Sequence, residues 1–157
     1  MSEHSYTEQQ LIDFLDRIDE YLQNKNLGEK TYSDEYRLPE ELELDGVRQL
    51  TQDDCFNYAF LLSNYADYVT SERAKQETVV LYCDNSLNKI VAREYTNVNI
   101  YGSQDLKVEI ICRENDVAQQ LLRFKAVAQS RVLFLKNKEY NIRKKIDCLI
   151  EKGKRKC

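Results

Sequence analysis

The sequence predicts an all-α fold, in which two long antiparallel helices form a coiled-coil-like helical hairpin and a shorter helix precedes them. The 157 residues include one Pro and four Gly, too few for the many turns of a sheet-rich fold. Residues 51–92 contain neither Gly nor Pro, and the same holds for residues 115–152. Because the two stretches are of similar length, each can bury its apolar stripe against the other.

The first predicted domain, residues 1–50, is an acidic helix followed by a polar connector. Thr7 and Gln10 match a capping box, and apolar residues follow at helical spacing, so we predict a helix over about 8–24 with frayed residues before it. In the connector, Leu38 to Leu42 predicts a short helical turn with Pro39 at its first position. Five apolar residues are expected to pin the connector to the helices: Leu38, Leu42, Leu44, Val47 and Leu50.

The second predicted domain, residues 51–157, begins with the first long helix. Thr51 is its expected N-cap, with Asp54 three residues later. The seam of this helix advances in alternating steps of four and three residues, as in helices that pack along another helix. Arg73 and Gln76 interrupt the seam. Its members are Cys55, Ala59, Leu62, Ala66, Val69, Val80, Cys83, Leu87 and Ile90.

Residues 93–103 break the helical pattern, and we expect the chain to reverse there. Ser103 is a good N-cap, which favours a helix over 104–113; a short β-hairpin that uses Leu106–Cys112 is the alternative. The second long helix is predicted from Asn115 or Asp116 to about Lys152, with Gly153 ending it. Its stripe is Val117, Leu121, Phe124, Ala128, Val132, Leu135, Ile142, Ile146 and Leu149.

Cysteine, histidine and motif content argue against several classes of function. The five Cys form no CxxC pair and the only His is His4, so neither a metal site nor another cofactor is expected. Cys55, Cys83 and Cys148 occupy positions typical of small core residues. An odd Cys count without a signal peptide predicts a cytoplasmic protein, and no apolar run is long enough for a membrane span. No catalytic motif is present, so we do not expect an enzyme.

The charge of the chain is distributed unevenly. Residues 1–54 carry 5 Lys/Arg and 15 Asp/Glu, a net of −10, whereas residues 119–157 carry 12 and 3, a net of +9. Two interpretations are open. The acidic and basic ends pair with each other, within one chain or between subunits, or the basic end binds a polyanion.

The basic end carries the strongest functional signal. Phe134 and Tyr140 lie among its cations, and a basic helix with interleaved aromatic residues suits contact with single-stranded nucleic acid. A solvated helix face that pairs with the acidic first helix has the same composition. The candidate cations are Arg123, Lys125, Arg131, Lys136, Lys138, Arg143, Lys144 and Lys145.

Three stretches resemble the small phage proteins grouped with UvsY-type recombination mediators. They are YAFLLSNYADYVTSERAK, LNKIVARE and the run that begins LKVEIICREND and ends KKIDCLIEKGKRK. Within the last stretch, Asn115-Asp116-Val117 is similar to the start of the second long helix of that family. Asn141-Ile142-Arg143-Lys144-Lys145-Ile146 is similar to its basic end. The resemblance covers residues 51–152 and leaves residues 1–50 outside.

This resemblance implies an all-helical homo-oligomer, in the form of a ring, that is not an enzyme. Such a protein binds single-stranded DNA, displaces the single-strand-binding protein and helps to load a RecA-like recombinase. The DNA contacts of the family, near the hairpin end of the first long helix, correspond here to Lys89 and Arg93. Because these are only two cations, DNA binding could rest instead on Arg123 to Lys145. The alternative function is a phage protein-interaction or assembly module without nucleic-acid binding.

Overall fold

The computed structural model describes residues 3–25, 30–99 and 101–155, and all regular structure in these ranges is helical. The predicted all-α class is therefore confirmed. A 3-10 turn, Asp34–Tyr36, lies in the connector. The α-helices are α1 (Glu3–Asn24), α2 (Arg37–Glu41), α3 (Leu44–Gln49), α4 (Gln52–Glu94), α5 (Gln104–Glu114) and α6 (Asp116–Lys154).

The chain forms two compact units, and both long helices contribute to each. The first, which we call the α1 unit, combines residues Met1–Gly28 with Lys75–Val132. The second, which we call the connector unit, combines Glu29–Ala74 with Leu133–Cys157. Each unit therefore contains one part of the first fifty residues, one part of α4 and one part of α6.

In the connector unit, the early residues of α4 are buried against the late residues of α6. Leu42, Val47 and Leu50 of the connector pack half-buried against this core, as predicted. Leu38 and Leu44, which we expected to do the same, are exposed. The buried cluster is Cys55, Ala59, Leu62, Tyr65, Ala66, Val69, Ile142, Ile146 and Leu149.

In the α1 unit, the late residues of α4 are buried against the early residues of α6. Cys83 and Leu87 of α4 form a cluster with Ala118 and Leu121 of α6. Ala118 is fully buried although the predicted stripe did not include it. A small residue at this position allows the two helices to approach closely. The position therefore requires a small side chain rather than a strongly hydrophobic one.

The predicted N-caps Thr51 and Ser103 are confirmed, and the structure adds a third cap, Asn115. At the start of α4, the Asp54 N–H donates to Thr51 Oγ1 at 3.2 Å and the Thr51 N–H donates to Asp54 Oδ2 at 3.2 Å, which is a capping box. Ser103 caps α5, because its Oγ accepts from the Leu106 N–H. Asn115 caps α6, because its Oδ1 accepts from the Ala118 N–H at 2.9 Å. Helix therefore replaces the alternative β-hairpin.

The predicted start of α1 and the position of Pro39 are wrong. Helix α1 begins at Glu3, so Thr7 lies inside it and does not begin it; of the residues expected to be frayed, the first two lie outside the described residues. Pro39 is the third residue of α2 rather than the first. The position is tolerated because the first four N–H groups of a helix have no intrahelical acceptor.

The predicted role of Gly153 is also wrong, because α6 continues through it to Lys154. Gly153 is buried against the ring of Phe56, and a Cβ atom there would lie 3.0 Å from Phe56 Cζ. The glycine therefore permits a close approach between α6 and α4 and does not end the helix.

The prediction that three Cys residues occupy core positions is confirmed for two of them. Cys55 and Cys83 are buried and unpaired, whereas Cys148 is exposed on α6. Burial raises the pKa of the Cys83 thiol, which makes it less reactive.

Among the described residues, every helix is too short or too polar to cross a membrane, and no cluster of His, Cys, Asp and Glu is arranged to hold a metal ion.

Candidate nucleic-acid interface

The ten predicted cations are divided between the two units. Five lie in the α1 unit and five in the connector unit. Arg123 and Arg131, on α6 of the α1 unit, are exposed and make no ion pair with any residue that the structure describes. The other members are Lys89, Arg93 and Lys125 in the α1 unit, and Lys136, Lys138, Arg143, Lys144 and Lys145 in the connector unit.

Four of the ten cations contact an acidic residue within the chain. Lys125 Nζ lies 2.5 Å from Asp84 Oδ1 on α4. Arg143 pairs with Glu139 one turn earlier on α6, at 2.9 Å. Lys138 and Lys145 both reach Glu40 of the connector, the first through its carboxylate at 3.0 Å and the second through its backbone carbonyl. These side chains are therefore less available to a phosphate backbone than their sequence spacing indicates.

Glu40 is the centre of this intrachain pairing. The hydroxyl of Tyr65 donates to Glu40 Oε1 at 3.2 Å, and Lys138 Nζ lies 5.3 Å from the centroid of the Tyr65 ring. Burial lowers the pKa of Lys138, but its hydrogen bonds with Tyr65 and Glu40 outweigh that effect and leave the pKa raised. Lys138 therefore remains charged and fastens the connector to α6. The sequence contains no signal that distinguishes Glu40 from the other acids of residues 1–54.

A second group of cations remains exposed on α6 of the connector unit. Lys136, Tyr140 and Lys144 are four residues apart and lie in a row on one side of the helix. The Tyr140 side chain is 59% exposed, and Phe134, which precedes the row, is 65% exposed. Lys144 Nζ lies 5.1 Å from the Tyr140 ring centroid, and the contact with Tyr140 raises the pKa of Lys144. We call Lys136, Tyr140 and Lys144 the α6 outer face; Phe134 is exposed on a different side of the helix.

The remaining two cations, Lys89 and Arg93, line a pocket of about 510 Å³ between α1, α4 and α6 of the α1 unit. Arg17 of α1 joins them there, and Phe14 and Tyr82 provide an aromatic wall. We call this cavity the α1 pocket. Sequence reasoning missed Arg17 because nothing in the sequence shows where α1 docks.

Among the residues that the structure describes, no acid of α1 forms an ion pair with a cation of the basic end. In the described ranges, Asp16, Asp19 and Glu20 form no ion pair, and Asp13 accepts a hydrogen bond from Gln9 at 2.9 Å. The one ion pair between an acid of residues 1–54 and a cation of residues 119–155 in those ranges is that of Glu40 with Lys138. The acidic face of α1 therefore keeps its charge available to another molecule.

Comparison with known proteins identifies no relative: no protein-family model, no curated protein and no solved structure matches the chain. The similarity to recombination mediators therefore rests on the three sequence stretches that carry it. The assignment of a function rests on the geometry of the two units.

Proposed function

We propose that this protein is a non-enzymatic recombination mediator that binds single-stranded DNA through the α6 outer face and assists the loading of a RecA-like recombinase in the cytoplasm. The observation that carries the proposal is the row Lys136, Tyr140 and Lys144, in which the exposed Tyr140 lies between two lysines. Aromatic side chains on which bases stack, placed between cations that contact phosphates, are the elements of single-strand binding without sequence preference.

The exposure of the aromatic residues supports this proposal. Phe134 and Tyr140 leave large apolar surfaces in water, although α6 has a buried side on which such residues could pack. Stacking of a base on an aromatic side chain contributes about 1–3 kcal/mol per base. A ligand with stacked bases and a phosphate backbone would cover the Tyr140 ring and neutralise Lys136 and Lys144 at the same time.

The antiparallel hairpin is part of the same proposal. In the connector unit, Phe56 contacts Gly153 and Arg73 pairs with Glu139, so positions advance along α4 as they retreat along α6. Such packing would hold the α6 outer face rigid. The chain as a whole has a net charge of −4, which opposes DNA binding by a monomer. A homo-oligomer would offset this by presenting several α6 outer faces to one strand, and the single-strand-binding protein would be displaced.

The proposal is tested by reversing the two lysines of the row. We expect Lys136→Glu combined with Lys144→Glu to weaken binding of a labelled oligo-dT by about tenfold or more, and to reduce the salt slope by about 1.4, because each phosphate contact to a single strand contributes about 0.7. Fluorescence anisotropy across a range of salt concentrations measures both quantities. Arg143 and Lys145 are left unchanged, because their replacement would break the contacts with Glu139 and Glu40.

The matched control is Lys154→Glu combined with Arg155→Glu. This variant makes the same change in net charge at the exposed end of α6, about four helical turns from Tyr140. We expect the control to weaken binding much less than the double variant of the row. Equal weakening by both variants would show that oligonucleotide binding responds to total charge. That result would contradict DNA binding at the α6 outer face.

The alternative proposal is a phage protein-interaction or assembly module. The observation in its favour is the acidic face of α1, which would dock on the basic end of a neighbouring copy. Under this alternative, Asp16→Lys combined with Glu20→Lys separates the oligomer, and light scattering reports a lower mass than for the unchanged chain. An unchanged mass would contradict the alternative. If the unchanged chain has the mass of one copy, no assembly exists to be separated, and that result also contradicts it.

A further inference from the structure

The α1 pocket brings together three cations and one acidic residue. Lys89 and Arg93 are one turn apart on α4, and Arg17 faces the same cavity from α1. In the described part of the chain none of the three forms an ion pair. The one acid of that part that lines the pocket is Asp13, which already accepts a hydrogen bond from Gln9.

This concentration of positive charge is unusual for its position. Arg17 is the only Lys or Arg in α1, a helix that is otherwise acidic. Like charges one turn apart on a helix destabilise it, so Lys89 and Arg93 disfavour the folded α4. A bound anion would reduce the repulsion between Lys89 and Arg93 and would supply a counter-charge for Arg17. The guanidinium of Arg offers paired N–H donors that match a phosphate group.

The other walls of the pocket are mostly apolar and aromatic, with Gln10 and Ser86 as polar members. The ring centroids of Phe14 and Tyr82 are 4.9 Å apart, with an angle of 33° between the ring planes. Ile90, Val117 and Leu121 line the apolar part of the remaining surface. The volume of about 510 Å³ lies within the range of about 300–1,000 Å³ that is typical of small-ligand sites. The cavity thus offers a surface for a flat ring beside a site for an anion.

We propose that the α1 pocket binds a small nucleotide, with the base against Phe14 and Tyr82 and the phosphate between Arg17, Lys89 and Arg93. This site belongs to the α1 unit, whereas the α6 outer face belongs to the connector unit. The proposal therefore goes beyond DNA binding at the α6 outer face and does not depend on it.

The probes are AMP, adenosine and inorganic phosphate, each titrated into the full chain by calorimetry, with saturation-transfer NMR to report contact with the base. We expect AMP to bind more tightly than either fragment, because only AMP occupies both the aromatic and the cationic parts. The variant Lys89→Gln with Arg93→Gln should raise the Kd for AMP by about tenfold or more, because charge-assisted hydrogen bonds to phosphate are lost. The control, Lys154→Gln with Arg155→Gln, should leave the Kd for AMP unchanged.

Three results would overturn the proposal: no binding of AMP at millimolar concentration, equal Kd values for AMP and phosphate, or an unchanged Kd in the Lys89→Gln, Arg93→Gln variant. Circular dichroism of each variant verifies that the helices are retained. Titration of oligo-dT into the AMP complex separates this proposal from DNA binding. Retention of AMP supports a separate nucleotide site, and displacement of AMP would overturn it by making the pocket part of the DNA-binding surface.

Discussion

Leu62→Ala is expected to lower the free energy of unfolding by about 3 kcal/mol or more, as is typical when a fully buried leucine is truncated. Leu62 is 0% exposed and lies within the buried cluster of the connector unit, between the early part of α4 and the late part of α6. Truncation removes the burial of its side chain and leaves a cavity that close-packed neighbours fill only in part. Urea denaturation followed by circular dichroism measures the change.

The control is Leu133→Ala in the same unit, where the leucine is 62% exposed on α6. This substitution removes the same atoms from a position that water already reaches, so we expect a change within about 0.5 kcal/mol. Similar losses for the two variants would mean that the α4 and α6 segments of the connector unit do not pack as described.

Glu139→Gln is expected to lower the free energy of unfolding by about 2 kcal/mol at neutral pH, because it removes charge-assisted hydrogen bonds. The Glu139 side chain is 13% exposed. Its carboxylate accepts from Arg73 Nη1 at 2.6 Å and from Arg143 Nε at 3.0 Å. Urea denaturation of the unchanged chain and the variant measures this difference at each pH.

The pH dependence of this loss follows from the pKa of Glu139. Burial raises that pKa, but the hydrogen bond from Arg143 and the charge of Arg73 outweigh burial and leave the pKa lowered. A carboxylate with a lowered pKa stabilises the fold above its unfolded pKa of about 4.3, and this contribution is lost as the pH falls through the folded pKa. The difference between the unchanged chain and Glu139→Gln should therefore shrink below about pH 4.

The control for the pH experiment is Glu41→Gln. Glu41 pairs with Arg37 on the exposed surface of α2, where an ion pair contributes little because water screens it. We expect no resolvable change in unfolding at neutral pH. A difference for Glu139→Gln that persists unchanged in acid would contradict an electrostatic origin of its stabilisation.

The long helices could be predicted from the sequence because their signals are local. A seam with steps of four and three residues and the absence of Gly and Pro predict α4 and α6 within a few residues of their observed ends. The capping box of Thr51 and Asp54 is likewise a pattern of neighbouring residues. Predictions from local patterns were wrong where contacts between distant residues decide the structure. Gly153 resembled a helix stop, yet it lies inside α6 because Phe56 occupies the space that a side chain would need.

The candidate sites depended on contacts between distant segments, and the sequence could supply only their residue types. Lys138 and Lys145 appeared equivalent to Lys136 and Lys144 in spacing, yet the first two contact Glu40, about 100 residues earlier in the chain. The α1 pocket was not predicted, because it exists only where Arg17 of α1 meets Lys89 and Arg93 of α4. Such pairings are set by the docking of helices, which periodicity within one helix does not specify.

Titration of labelled oligo-dT with the unchanged chain, followed by fluorescence anisotropy at low and at moderate salt, tests the proposed function most directly. The α6 outer face predicts binding at low salt with a Kd below tens of micromolar. Binding should weaken as salt increases, because binding releases cations from the phosphate backbone and this release is less favourable at high salt. Absence of binding at tens of micromolar protein in low salt would contradict a role in single-stranded DNA binding.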